Sequence, residues 1–256
     1  MSESLADKVV LITGASSGIG RATAMALAGR GVRLSLIARS DKALAEISAE
    51  VMANGARDAH HFVCDVRRED DVESAVAAAH KAFGRIDVLI NSAGLSLNGE
   101  VDGYSLEDWR TVIDTNLTGT FLMCRAVLPF MKEQRRGEII NISSGAGRNG
   151  IKQMAAYCAS KFGVIGFTES LALEVRNQNI RVSVLLPGSV ATDFSRVARR
   201  QNRVDEREER DIGYSMTVEE VASVITSMLE QPAQAWMSEV VLRPLNLELQ
   251  RKTNES

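Results

Sequence analysis

Tyr157 and Lys161 stand four residues apart in AAYCASKFGVIGFTESLALEV, a stretch whose spacing predicts a helix. That offset places both side chains on one helical face. A free phenol ionises near pH ~10 and exchanges protons poorly at neutrality. An ammonium one turn away stabilises the phenolate and draws that value down, which makes an acid/base near neutral pH. Ser143 and Ser144 lie upstream, directly after an apolar run. A hydroxyl there can donate to an oxygen on which negative charge builds. Asn116 falls in DTNLTGTF, inside an otherwise apolar helix predicted from about Leu106. A buried amide at that position needs partners.

A second cluster suits phosphate. Thr13-Gly14-Ala15-Ser16-Ser17-Gly18-Ile19-Gly20 closes the first apolar run and opens a helix. Glycines let the backbone turn sharply and approach a pyrophosphate, and the helix start supplies open N–H groups and a positive dipole end. Its place after the first strand of an alternating chain gives the cluster weight that glycines alone would lack.

These groups need a frame, and apolar β-branched runs alternate with helical patterns to supply one. KVVLIT from Lys8, VRLSLIA from Val32, AHHFVCDV from Ala59 and IDVLIN from Ile86 read as buried strands. GEIINIS from Gly137, IRVSVLLP from Ile180 and SEVVLRP from Ser238 continue the series. Helical patterns lie between, and Gly31, Gly55 and Gly84 fit left-handed helix ends. Near-continuous apolar strands imply a sheet covered on both faces. The expected fold is α/β: a single-domain, Rossmann-type, doubly wound sheet of seven mostly parallel strands over residues 1–256. Ligands of such sheets sit beyond the strands' carboxyl ends. Residues 1–7 and 250–256 are expected to be flexible. Residues 188–216, almost wholly charged from Arg196 to Asp211, are expected to form a substrate loop.

Composition excludes several classes. A formal charge of −3 with interspersed signs leaves no footprint for nucleic acid. No signal peptide and no apolar run long enough for a membrane span are visible. Cys64, Cys124 and Cys158 are widely spaced and lack metal-ligand spacing, which points to a reducing cytoplasm and no disulfide or metal. His60 and His61 are adjacent, so their side chains diverge.

The G-x-x-x-G-x-G spacing of Gly14, Gly18 and Gly20 resembles the short-chain dehydrogenase/reductase (SDR) family, and the rest of the chain follows its pattern in order from about Lys8 to Thr192. Asp65-Val66 resembles the adenine-contacting pair. Asn91-Ser92-Ala93-Gly94 resembles the NNAG element, with Ser92 for the second Asn. Pro187-Gly188-Ser189-Val190-Ala191-Thr192 resembles the segment that packs on the nicotinamide. The family's serine precedes its tyrosine by thirteen positions, which selects Ser144 over Ser143. By this resemblance Tyr157 exchanges the proton, Ser144 polarises the substrate oxygen, Lys161 bonds the nicotinamide ribose, and Asn116 holds a relay water.

Ala38-Arg39 stands where an acidic residue would bind the ribose 2′-hydroxyl of NAD. An arginine attracts a 2′-phosphate instead, so the expected cofactor is NADP(H). Ser17 occupies a position that is basic in many NADP-using relatives. The expected substrate is a small alcohol, hydroxy acid or the matching carbonyl, since the Arg243-Pro244 ending departs from the V-D-G-G of many relatives. A 3-oxoacyl-(acyl-carrier-protein) reductase is the enzymatic alternative, and an NADP-binding regulator the non-enzymatic one. The resemblance also implies a homotetramer or homodimer, with Phe121, Met123, Phe162, Val164 and Phe167 serving either the interface or the core.

Overall fold

The computed structural model describes residues 4–192, 215–232 and 234–245. The charged stretch 196–211 and the terminal residues 250–256 lie outside the described residues.

Seven strands form one sheet: β1 (Val9–Thr13), β2 (Arg33–Ala38), β3 (Asp58–Val63), β4 (Val88–Asn91), β5 (Gly137–Ile142), β6 (Ile180–Pro187) and β7 (Glu239–Leu242). Their order is β3-β2-β1-β4-β5-β6-β7, and every pairing is parallel. Strand order reverses between β1 and β4, so a crevice opens beyond their carboxyl ends. The expected doubly wound architecture is present.

Alternation along the central strands divides the core. Val10 and Ile12 of β1 face one apolar cluster, Val9 and Leu11 the other. The first cluster takes Leu27 of α1 (Gly18–Ala28), Leu44 and Ile47 of α2 (Asp41–Ala53), and Val221 and Ile225 of α7 (Val218–Leu229). The second takes Val72 and Val76 of α3 (Glu69–Phe83), Met123 and Val127 of α5 (Gly119–Gln134), and Leu171 and Val175 of α6 (Ala155–Val175). Helices therefore cover both faces. Gly84 ends α3 at φ +72, where a Cβ would be strained.

Three expectations change in detail. β3 reads as a buried strand but is an edge: four of its six residues are half-buried, and His60 and Val63 are exposed. Asn116 does not lie in one continuous α-helix. Between α4 (Leu106–Ile113) and α5 the chain forms a π-turn over Asp114–Thr118, and Asn116 is its buried member. Residues 4–7 are docked: Leu5 is buried, Asp7 donates its N–H to the Gly31 carbonyl, and its carboxylate pairs with Arg33 and Arg57.

Candidate active site

The crevice begins with the turn after β1. Gly14 adopts φ +66, and a Cβ there would stand 2.9 Å from the Ala93 backbone; one on Gly20 would meet the Gly14 carbonyl at 2.4 Å. Only glycine lets this turn close against both the β4 loop and its own helix. Ser17 precedes α1 in an extended conformation and its hydroxyl does not cap the helix, so the helix start remains open to an anion. Ser16 and Ile19 are half-buried beside it. The Thr192 methyl lies 3.8 Å from a Cβ built on Gly18, which brings the segment after β6 over the same helix start.

The loop after β4 is tied down from two sides. Thr13 Oγ1 accepts the N–H groups of Ser92 and Ala93, both at 3.1 Å. The Asn116 side chain grips Leu95: Oδ1 accepts its N–H at 2.8 Å and Nδ2 donates to its carbonyl at 2.9 Å. Nδ2 also donates to Ser160 Oγ at 3.0 Å, and that hydroxyl donates to the Tyr157 carbonyl at 2.7 Å. The amide of Asn116 thus joins the β4 loop to α6. Thr13 and Ser160, which the motif reading did not single out, position their neighbours; a strand-end threonine beside a glycine turn was the available sign.

Asn91, expected at the cofactor, turns inward. Its Nδ2 donates to Asn141 Oδ1 at 2.9 Å, and Asn141 Nδ2 donates to Thr168 Oγ1 at 2.9 Å on α6. Ala93 and Gly94 do line the crevice, with the Lys161 Nζ 3.6 Å from a Cβ built on Gly94.

The two serines part ways. Ser143 is buried and donates to the Lys161 carbonyl at 2.9 Å. Ser144 is half-buried, and its hydroxyl hydrogen-bonds the Tyr157 phenol. Lys161 donates from Nζ to the Ile142 carbonyl at 2.8 Å, 5.7 Å from the Tyr157 ring centre.

Ionisation departs from expectation. Burial pushes the Tyr157 phenol up to about 12, against the hydrogen bond from Ser144, which favours the phenolate. Burial also draws Lys161 down to about 8. In this arrangement the Lys161 Nζ is directed at the Ile142 carbonyl, and the phenol's shift is set by burial and Ser144.

Toward the β2 edge, Arg39 is exposed at the end of β2, as expected. Asp65 is half-buried with its carboxyl held below the usual range, chiefly by hydrogen bonds from Arg67. Val66 packs against Gly119, where a Cβ would stand 2.8 Å from Val66 Cγ2. Beyond β6, the Gly188 N–H donates to the Leu242 carbonyl at 2.8 Å, and Pro244 lies 3.1 Å from a Cβ built on Gly188. Pro187 is buried as the last residue of β6, and Val190 pairs with Met216, which closes the base of the 188–216 segment.

An open helix start under a glycine turn, an acid/base pair and a fixed hydroxyl along one crevice suit a dinucleotide-dependent oxidoreductase. The chain matches the short chain dehydrogenase family over residues 8–203 and belongs to it. It is 43% identical over 192 residues to a 3-oxoacyl-[acyl-carrier-protein] reductase of Synechocystis sp., covering 75% of this chain and 77% of that one. The solved actinorhodin polyketide ketoreductase with NADPH superposes at a TM-score of 0.86, with 34% identity over 93% of this chain and 96% of that one. NAD+-bound xylitol dehydrogenase superposes at 0.88, with 31% identity over 95% and 100%. Among the described residues no helix is long and apolar enough to cross a membrane, and no cluster of potential metal ligands occurs.

Proposed function

We propose that this oxidoreductase uses NADP(H) to interconvert a secondary alcohol or hydroxy acid with its ketone or aldehyde. The observation that carries the reading is the Tyr157 phenol, bonded to Ser144 with Lys161 on the same helical face, at the carboxyl end of β5. Gly14, Gly18 and Gly20 with the α1 N-terminus would hold the pyrophosphate, and Arg39 the 2′-phosphate. Asp65 and Val66 would flank the adenine, and Pro187, Gly188, Val190 and Thr192 the nicotinamide, which supplies or accepts hydride when bound. Ser144 would then donate to the substrate oxygen, and Tyr157 would deliver a proton to it in reduction or take one in oxidation. Lys161 would hold the nicotinamide ribose and favour the phenolate. Leu95, Leu97, Tyr104 and Met154 pack beside Tyr157, so the wall there suits an uncharged carbon skeleton. We place the protein in a cytoplasmic setting, in which its three free, buried cysteines would stay reduced.

The test compares kcat/KM for NADPH and NADH with a panel of carbonyls. A preference for NADPH that Arg39→Asp reverses is expected; a wild-type preference for NADH would refute the cofactor assignment. The similarity to the Synechocystis reductase favours one second reading, a 3-oxoacyl thioester reductase. Efficient turnover of an acetoacetyl thioester, with small ketones inert, would establish it.

A further inference from the structure

Arg39 and Asp65 are neighbours across two strand ends. The β2–β3 register pairs Ala38 with Val63, and the Cys64 N–H donates to the Ala38 carbonyl at 2.9 Å. Arg39 directly follows Ala38, and Asp65 directly follows Cys64. A carboxylate in that place has two consequences for a 2′-phosphate: it repels the anion, and it competes for the cation meant to bind it.

The structure shows what occupies that carboxylate instead. Arg67 wraps back on Asp65, its Nε lying 2.9 Å from Oδ1 and 3.0 Å from Oδ2, with a further bond from Nη2. The Arg67 backbone N–H adds a fourth contact to Oδ1 at 3.1 Å. Two residues of separation make this clamp local, so it costs little chain entropy to form. Arg39 takes no part in it, and no ion pair engages Arg39 among the described residues. Arg39 is nevertheless close enough to contribute to holding the Asp65 carboxyl ionised, behind the larger effect of Arg67.

We infer that Arg67 is a positioning residue for cofactor selectivity: by saturating the Asp65 carboxylate it keeps Arg39 disengaged and available to a 2′-phosphate. The inference rests on the NADP(H) reading above and names a residue that need not touch the cofactor. Removing Arg67 lets Asp65 recruit Arg39, which weakens binding of the phosphorylated cofactor alone. NADH lacks the 2′-phosphate and is indifferent to where Arg39 points.

The experiment is a double-mutant cycle of Arg67→Gln, Asp65→Asn and their combination, read as the ratio of kcat/KM for NADPH over NADH. Asparagine keeps an acceptor for an adenine amino group, so any adenine contact affects both cofactors alike and cancels in the ratio. Arg67→Gln is expected to lower the ratio about fivefold or more, through the KM for NADPH. Adding Asp65→Asn is expected to restore it to within about twofold of the wild type. A wild-type preference for NADH overturns the cofactor reading and this inference with it. A wild-type preference for NADPH that Arg67→Gln leaves intact, or a loss shared equally by both cofactors, or a double variant no better than Arg67→Gln, overturns this inference alone.

Discussion

Tyr157 and Lys161 are both held toward their neutral forms, the phenol up to about 12 and the amine down to about 8, and each shift has a sign that can be measured. For Lys161 the unfolded chain binds more protons between pH 8 and its ordinary 10.5, so this group's contribution to stability rises with pH across that window and is lost as pH falls through 8. For Tyr157 the folded chain keeps its proton longer, so its contribution falls from pH 10 toward 12. Lys161→Met is therefore expected to be more stable than the wild type at pH 7, by roughly 1–3 kcal/mol, with the advantage gone above pH 10.5. Denaturant titration across pH checks this, and an equal difference at every pH would contradict it. The same variant tests the proposed role of Lys161 in favouring the phenolate. The rising limb of its pH–rate profile for alcohol oxidation is expected to move upward by one pH unit or more, about tenfold in proton affinity. An unmoved limb in the pH–rate profile would contradict that role. The Tyr-Lys pair itself was legible from its spacing. The direction of the phenol's shift was not, because burial is a property of packing rather than of helical register.

Within and between elements, the polar ladder from Asn91 through Asn141 to Thr168 pins α6 against β4 and β5. Thr168 Oγ1 accepts from Asn141 and donates its own hydrogen bond to the Val164 carbonyl at 2.6 Å. Thr168→Val keeps the shape but strands the Asn141 amide, an expected loss of about 1–3 kcal/mol. That corresponds to a drop in Tm of about 2–4 °C per kcal/mol, checked by calorimetry; an unchanged Tm would mean the amide finds another partner. The strands were legible because their central members are apolar on both faces, as Leu11 and Ile12 of β1 are. β3 was misjudged because its edge position follows from strand order, which no local run of residues encodes. The π-turn at Asp114–Thr118 was equally hidden: DTNLTGTF carries a helical pattern, and only the grip of Asn116 on Leu95 reveals the extra residue in the turn.

For the whole molecule, the structure separates the apolar positions that sequence left undivided. Met123 and Val164 are fully buried in the core, whereas Phe121 and Phe162 are 40% and 47% exposed on α5 and α6. Phe167 stands edge-on to Phe121 at 6.1 Å. If these helices pair two copies, Phe121→Glu with Phe162→Glu places like charges in the contact and is expected to lower the mass in light scattering to that of one chain. An unchanged oligomer would place the contact elsewhere. In the proposed function the crevice beyond β1, β4 and β5 moves hydride with the Tyr157 phenol as its proton partner. Tyr157→Phe tests it most directly, with NADPH consumption followed against a carbonyl and NADPH binding titrated by fluorescence. The expected result is a fall in kcat of about 10²-fold or more with cofactor affinity within about twofold of the wild type. Turnover at the wild-type rate would contradict it.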